Sequence, residues 1–239
     1  AQLNVPAAFS ATTATGIGFD GGWFNAFGTN NYFNLVGSPH SFRFDATQPG
    51  AIINAGNLAV SSGHSLSLIG GTVVSTGSLN APGGNITVTA VPGSSRVRIS
   101  QQGQLLNLEI QPPTDSQGNV LPITPVMLPQ LLTVGRVAGV TEIETNTQSQ
   151  IQPTGNNIEV QTGDVVAKQV TTGTATLSAE NNLSLIESQL VTTVDLNLLA
   201  RNTVRIRDSV ANPFIARAGG NLYIQGNRGI DILALNHLS

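Results

Sequence analysis

The stretch that decides the fold is Ile52-Ile53-Asn54-Ala55-Gly56-Asn57-Leu58, because it returns further along the chain as Val73-Val74-Ser75-Thr76-Gly77-Ser78-Leu79. Glycine aligns with glycine, leucine with leucine, and a branched pair with a branched pair. The next segment repeats at nearly the same spacing, since His64-Ser65-Leu66-Ser67-Leu68 is matched by Gly84-Asn85-Ile86-Thr87-Val88. Short apolar alternations broken by Gly and Asn predict short strands separated by polar turns.

The C-terminal half shows the same period. Ala179-Glu180-Asn181-Asn182-Leu183-Ser184-Leu185 returns as Ala200-Arg201-Asn202-Thr203-Val204-Arg205-Ile206, and a third copy, Gly220-Asn221-Leu222-Tyr223-Ile224, follows it. Self-similarity at this period indicates a solenoid in which each coil covers the apolar face of its neighbour. We therefore predict an all-β chain folded as a parallel β-helix of about 20 residues per coil. Leucine-rich repeats have a similar period but need an invariant leucine scaffold, which is missing here.

In such a helix the aligned apolar residues point inward and stack coil on coil, and the residues between them face solvent. The predicted inward stacks are Leu66/Ile86, Leu68/Val88, Leu183/Val204/Leu222 and Leu185/Ile206/Ile224.

Two regions interrupt the period. Residues 1–50 hold nine of the eleven aromatic residues, and residues 92–135 hold six prolines, which central strands do not tolerate. We divide the chain into an aromatic-rich N-terminal part (1–50), coils (51–91), a proline-rich excursion from the helix with a hairpin of its own (92–135), and coils that continue to an uncapped end (136–239).

Composition narrows the range of functions. Only 10% of the 239 residues are charged, the net charge is −3, and cysteine is absent. This balance excludes coiled coils and charged disordered tails, and gives nucleic acid no general electrostatic attraction. Without cysteine there are no disulfides, thiolate zinc sites or cysteine nucleophiles. No run of about 18 apolar residues is present to span a bilayer.

The chemical motifs favour structural roles. Gly16-Ile17-Gly18-Phe19-Asp20-Gly21 matches G-x-G-x-x-G, but no helical pattern follows it, so we interpret it as a glycine turn with positive φ. His64 falls at a coil turn opposite Gly84 and has no orienting acid. A polysaccharide-lyase-like β-helix is the main enzyme alternative, but the acids are dispersed, with Glu142 and Glu144 the closest pair on one face. We predict no catalytic site, no cofactor and no metal.

Two groups of residues are candidates for an interaction surface. The aromatic group forms either a small satellite core beside the helix or, if exposed, a docking surface. The arginine group forms either ladder contacts, with Glu180 on Arg201 and Arg205 on Tyr223, or a stripe that binds an acidic glycan. The candidate residues are Trp23, Phe24, Phe27, Tyr32, Phe33, Arg201, Arg205, Arg207 and Tyr223.

Four segments together resemble the N-terminal secretion domain of filamentous-haemagglutinin-type exoproteins. They are Ala11-Thr12-Thr13-Ala14-Thr15-Gly16-Ile17-Gly18-Phe19, residues 50–60, Ala81-Pro82-Gly83-Gly84-Asn85-Ile86-Thr87-Val88 and Val97-Arg98-Ile99-Ser100. The low charge and the run LNAPGGNITV are similar to the large cyanobacterial members. The resemblance extends from Ala1 to the neighbourhood of Ile110, and the remainder looks like the repeats that follow in such proteins.

This resemblance implies a right-handed parallel β-helix that is exported and passes through a dedicated outer-membrane barrel partner, whose periplasmic domains bind the secretion domain. It also implies a secreted, extracellular or cell-surface location. We expect a non-enzymatic structural or adhesive segment of a longer protein. The alternatives are docking on the transporter by sheet extension and a glycan-binding or lyase-like β-helix. The further expected partners are a glycan or cell surface and other copies of the chain, end to end.

Overall fold

The structure is a computed structural model that describes residues 2–37, 39–98, 109–110, 145–146, 148–151 and 158–234. Its only helical element among these residues is a single 3-10 turn at Tyr32–Asn34, and none of its described elements is a helix suited to crossing a membrane. The described strands in chain order are β1 (Gln2–Val5), β2 (Phe9–Thr12), β3 (Gly16–Phe19), β4 (Gly22–Asn25), β5 (Ser41–Phe44), β6 (Ala51–Asn54), β7 (Asn57–Val60), β8 (Leu66–Gly70), β9 (Thr72–Ala90), β10 (Ser95–Arg98), β11 (Glu109–Ile110), β12 (Thr145–Asn146), β13 (Gln148–Ile151), β14 (Ile158–Glu159), β15 (Val165–Ala179), β16 (Leu183–Ile186), β17 (Gln189–Thr192), β18 (Leu196–Ala200), β19 (Thr203–Arg207), β20 (Ile215–Ala218), β21 (Leu222–Gly226) and β22 (Gly229–Leu233).

Fourteen of these strands pair in parallel and stack as the coils of a β-helix, which confirms the predicted all-β parallel β-helix. The coils present three faces. Face A stacks β1, β7, β9, β15, β17 and β20; face B stacks β2, β8, β9, β15, β18 and β21; face C stacks β6, β9, β15, β16, β19 and β22. The long strands β9 and β15 run through all three faces. Local irregularities mark their corners: Gly83 in β9 has a positive φ of 63°, and the register of β15 on β9 shifts between Ala167 and Gln169 and between Thr172 and Thr174.

The core lies between the three faces and consists of alternate residues from every strand. Ile52 lies opposite Val73, Leu66 opposite Ile86 and Leu183 opposite Val204, as the repeats predicted. Burying one such side chain contributes about 1.5–3 kcal/mol. The fully buried members include Leu66, Leu68, Val73, Leu79, Ile86, Val88, Val165, Val170, Leu177, Leu183, Leu185, Leu190, Leu196, Leu198 and Val204.

The predicted position of the last coil is wrong. Leu222 stacks on Leu196 of face B, and the residue that covers Val204 is Ile230. The reason is that the last coil is longer than its predecessors, since the step from Leu196 to its partner Leu222 takes more of the chain than the step from Ala175 to Leu196. The additional chain lies in the turn after β19, where a backbone hydrogen-bonded pair joins Ser209 and Asn212.

The two interruptions of the repeat leave the stack at the same corner, between face B and face C. The first insertion follows β2 and the second follows β9. In the coil between them, Gly71 alone connects β8 on face B to β9 on face C. The returning chains also stack there, because Gly71 N–H donates to Gly50 O at 2.8 Å and Gly163 N–H donates to Gly71 O at 2.9 Å. A Cβ on Gly71 would collide with the backbone oxygen of Pro49, so this tight crossing requires glycine.

The two insertions join outside the stack in a five-stranded sheet with the order β11-β10-β5-β3-β4. Its pairings are antiparallel, and β5 from the first insertion pairs with β10 from the second, with Phe42 opposite Val97. The inner face of this sheet packs on the β-helix as a small second core. Its buried members are Phe42, Phe44, Ile69, Val91 and Val97.

The aromatic-rich segment therefore forms the expected satellite core with two of its members, Phe42 and Phe44, and leaves others exposed. Most of the proline-rich excursion and the predicted boundary at 135/136 lie outside the described residues, so the domain limits stay predictions. Strands β12, β13 and β14 pair with one another in antiparallel fashion, and the first strand described after them in the stack is β15.

Candidate interaction surfaces

Trp23 lies on the outer face of the five-stranded sheet, on a floor of glycine. A Cβ on Gly16 would stand 3.2 Å from Trp23 Cε3, and a Cβ on Gly18 would stand 3.1 Å from Trp23 Cη2 and collide with Ser41 Oγ. The G-x-G-x-x-G stretch therefore forms strand β3 and its hairpin with β4, in which Gly18 is opposite Trp23. The prediction of a turn was right for Asp20 and Gly21, but the predicted positive φ was wrong, because none of Gly16, Gly18 and Gly21 has one. Close contacts account for these glycines, and a Cβ on Gly21 would collide with Asn34 O.

Two arginines meet at the Trp23 indole. Cζ of Arg43 lies 4.8 Å and Cζ of Arg96 lies 5.7 Å from its ring centroid, both within the range of cation–π attraction. Arg43 belongs to the first insertion and Arg96 to the second, and the two are directly opposite in the β5–β10 register. Arg43 donates to Asp45 Oδ2 at 2.8 Å and to Asn25 Oδ1 at 2.9 Å.

The aromatic loop, which we define as residues 26–37, presents most of the remaining aromatic candidates to solvent. Phe33 is 96% exposed, Phe27 83% and Tyr32 69%, while Phe24 at the edge of the sheet is partly covered by Tyr32, whose ring centroid lies 6.4 Å away. No charged residue occurs between positions 21 and 39. The loop therefore exposes apolar rings and has no charged side chain of its own, while the Asp20 carboxylate lies against its C-terminal end at Gly37.

Asparagine side chains hold this loop in place. Asn30 bridges the outer edge of β4, since its Oδ1 accepts from Asn25 N–H at 2.6 Å and its amide donates to Asn25 O at 2.9 Å. Asn31 caps the 3-10 turn by accepting from Phe33 N–H at 3.2 Å. The exposed rings are thus carried by a folded segment.

Two of the five C-terminal arginines, Arg201 and Arg207, form ion pairs with described acids. Arg201 forms the predicted ion pair with Glu180 of the preceding coil, which confirms that part of the arginine ladder. Burial raises the pKa of the Glu180 carboxyl, and the hydrogen bond and charge of Arg201 oppose that shift. Arg207 pairs with Asp231 at 2.6 Å and lowers the pKa of that carboxyl, chiefly through the hydrogen bond.

The predicted contact between Arg205 and Tyr223 is wrong. Because the last coil is longer, Tyr223 lies opposite Asn197 on face B, whereas Arg205 lies opposite Asp231 on face C. Tyr223 is about half exposed and its hydroxyl group contacts Gln225 Oε1 at 2.5 Å. Tyr223 therefore lies on a different face from Arg205. Both belong to the C-terminal coils, whereas the aromatic loop belongs to the first insertion.

One carboxyl group, Asp164, is fully buried where the second insertion rejoins the stack. Gln161 N–H donates to its Oδ2 at 2.9 Å, and the backbone and side-chain amides of Asn182 donate to its Oδ1 at 2.9 and 3.1 Å. Burial raises the pKa of Asp164 to about 6, against the lowering effect of these hydrogen bonds and of Arg205.

The described residues contain no group of three or more His, Asp or Glu that is placed to hold a metal ion. A Cβ on Gly84 would collide with the backbone oxygen of His64, so His64 occupies the predicted coil turn over Gly84. Glu142 and Glu144 lie outside the described residues.

Sequence reasoning missed Arg43 and Arg96, because neither lies in a repeat. A signal for them exists in Phe42-Arg43-Phe44 and Arg96-Val97, where arginine alternates with apolar residues. Such alternation is typical of strands with one buried and one solvent-exposed face, and it places both guanidinium groups on the outer face of the sheet.

A protein-family model described as the TPS secretion domain matches residues 1–130, which is more than half of the chain. No match was found among curated proteins or solved structures.

Proposed function

Because this chain belongs to the family of TPS secretion domains, we propose that it is the secretion domain and first coils of a filamentous-haemagglutinin-type exoprotein. Membership makes it part of a two-partner-secreted exoprotein, which engages an outer-membrane transporter during export. The finer assignment adds a cell-surface adhesive role in a protein similar to the cyanobacterial members. The observation that carries the proposal is the family match over residues 1–130, which includes the first coils and the aromatic loop.

The aromatic loop is the docking surface that we assign to the periplasmic domains of the transporter. Two features support this role: Phe27 and Phe33 are the most exposed large apolar side chains described, and the loop has no charge to desolvate on contact. Aromatic anchors in the centre of an interface supply much of its binding free energy.

The test measures binding of the purified chain to immobilised periplasmic domains of the two-partner transporter from the source organism. The wild-type chain should bind saturably, and Phe27→Ser with Phe33→Ser should weaken binding at least about tenfold. Val210→Ser is the matched control, because Val210 is 78% exposed on a distant coil. Absence of binding by the wild-type chain, or equal binding by the loop variant and the control, would refute this assignment.

We also propose that copies of the chain associate end to end into longer rods, and residues of the last described coil support this association. Leu222, Ile230 and Ile232 continue the inward-facing stacks but are 43–47% exposed on the final strands of faces B and C. Another parallel strand layer would bury them as the inner coils are buried. Electron microscopy across a concentration series should show rods that lengthen with concentration, whereas rods of constant length would contradict end-to-end association.

The lyase-like and glycan-binding alternative has no support from the arginine group near the C-terminus, because Arg201 and Arg207 are already paired with acids.

A further inference from the structure

The outer face of the five-stranded sheet carries a compact group of side chains that neither the β-helix nor the aromatic loop requires. It consists of the Trp23 indole and the guanidinium groups of Arg43 and Arg96. Trp23 rests on Gly16 and Gly18, so its ring is held in place before any ligand arrives. Preorganised aromatic surfaces bind with a smaller loss of conformational entropy than mobile ones.

The two arginines face each other across a pair of antiparallel strands, an arrangement that is unfavourable for like charges. Arg43 is neutralised by Asp45, and its fork is occupied by Asp45 and Asn25. Arg96 is exposed, and none of the described carboxylates forms an ion pair with it. The local charge of this group is therefore positive in a chain whose net charge is −3.

We propose that Trp23, Arg43 and Arg96 form a binding site for an acidic sugar unit of a polysaccharide. A sugar ring has an apolar face that fits a flat indole, and its carboxylate can accept two hydrogen bonds from a guanidinium fork. In this arrangement Trp23 supports the ring, Arg96 binds the carboxylate, and Arg43 keeps the indole in place and adds positive charge.

Acidic sugars fit this site better than the other anions that arginine binds. Nucleic acids need a basic groove that follows a continuous phosphate chain, and the chain as a whole is acidic. An acidic peptide side chain would use the arginine but leave the indole uncovered. Since the first insertion supplies Trp23 and Arg43 and the second supplies Arg96, the site exists only when the two insertions are paired.

Intrinsic fluorescence gives a direct test, because Trp23 is the only tryptophan in the chain. Trigalacturonate should change its emission saturably, and added salt should weaken the effect. Dextran, poly-glutamate and oligo-dT serve as neutral, peptide and nucleic-acid probes. Equal or tighter binding of any of these three, or no response to trigalacturonate at low salt, would overturn the proposal.

Variants locate the binding in the proposed site. Arg96→Gln should weaken trigalacturonate binding at least about tenfold, and Arg96→Lys, which retains the charge but not the fork, should give an intermediate loss. Arg217→Gln is the control, because Arg217 is exposed on β20 and its substitution removes the same charge elsewhere. All three substitutions are at exposed positions, and unfolding midpoints will show that the variants are folded. Equal affinities of Arg96→Gln and Arg217→Gln would refute the site.

Acidic sugars would be the ligand class of the proposed adhesive role, and the biological role of the Trp23 site rests on that proposed function. The titration contains no transporter, so its failure would leave the proposal of export intact. Conversely, if the chain does not bind the transporter domains, a saturable response of Trp23 emission to trigalacturonate would still support the sugar site.

Discussion

At the scale of single residues, Trp23 explains the composition of the strand beside it. Gly16 and Gly18 alternate on β3, and both lie under the indole, so a side chain at either position would displace the ring. Glycine in a strand interior is unfavourable in itself, and an aromatic residue on the neighbouring strand compensates by covering the backbone.

Gly18→Ala should therefore lower the free energy of unfolding by about 1–3 kcal/mol, because its Cβ would collide with Ser41 Oγ and press on Trp23. Gly22→Ala, in the same hairpin, is the control, since its Cβ would find only ordinary contacts at 3.5 Å or more and should change stability by less than about 0.5 kcal/mol. Chemical unfolding followed by Trp23 emission measures both. Equal effects of the two substitutions would contradict this account of the glycine floor.

Asp164 is a buried acid whose pKa predicts a specific pH dependence. Burial raises the pKa from 3.8 to about 6, so the folded chain binds this proton more tightly than the unfolded chain. The contribution of Asp164 to stability therefore falls as pH rises from about 4 to about 6.

Relative to Asp164→Asn, the wild-type chain should lose roughly 2–3 kcal/mol of unfolding free energy between about pH 4 and about pH 7. Other acids titrate in both proteins and cancel in this difference. Urea unfolding of the two proteins at each pH measures it. A difference that stays constant with pH would show that Asp164 does not titrate in this window.

At the scale of elements, the observed strand register of the last described coil differs from the register that the repeat alignment predicted. Asn197 and Tyr223 are neighbours on adjacent parallel strands, whereas the alignment by repeats placed Tyr223 next to Arg205. The Cα atoms of such neighbours are about 4.8 Å apart, within the range that a disulfide spans.

Asn197→Cys with Tyr223→Cys should form an intramolecular disulfide under mild oxidation, and Arg205→Cys with Tyr223→Cys should not. The chain has no cysteine of its own, so any bond formed joins the introduced pair. Mass spectrometry of non-reduced digests identifies it. More efficient cross-linking of the Arg205–Tyr223 pair would mean that the repeat alignment was right after all.

The same elements show why the sequence predicts the stack better than the site. Ile52 and Val73 repeat because both must fill the same interior from adjacent coils, and this need is visible as a period. The pairing of Phe42 with Val97 joins two insertions that obey no common period, so nothing in the sequence aligns them. The group at Trp23 depends on that pairing and was invisible for the same reason. The position of Leu222 was missed because added turn residues shift the period without changing the inward pattern.

At the scale of the whole molecule, the stack is held mainly by contacts between neighbouring coils. Stability in such an array is approximately a sum over coils and their interfaces, so the ends open more readily than the middle. The first insertion also leaves β6 at one end with a single neighbour, β9, while β9 and β15 have stacked neighbours on all three faces.

Hydrogen exchange should therefore be slowest in β9 and β15 and fastest in β1 and β20 to β22, where the inward residues are less well covered. Exchange measured by mass spectrometry on overlapping peptides gives this gradient. Uniform protection along the coils would indicate that the chain opens as one cooperative unit.

Because both insertions emerge at the same corner, one side of the stack carries the inserted sheet and the opposite side does not. In the described part of the chain, face A and its two flanking corners carry only turns, whereas both insertions emerge between face B and face C and unite there. Two stacks lying side by side can therefore approach closely through the sides without insertions. On the other side, the inserted sheet keeps a neighbouring stack at a distance. In a crowded layer of such molecules the Trp23 group would stay accessible, and tight bundling would be confined to the opposite side.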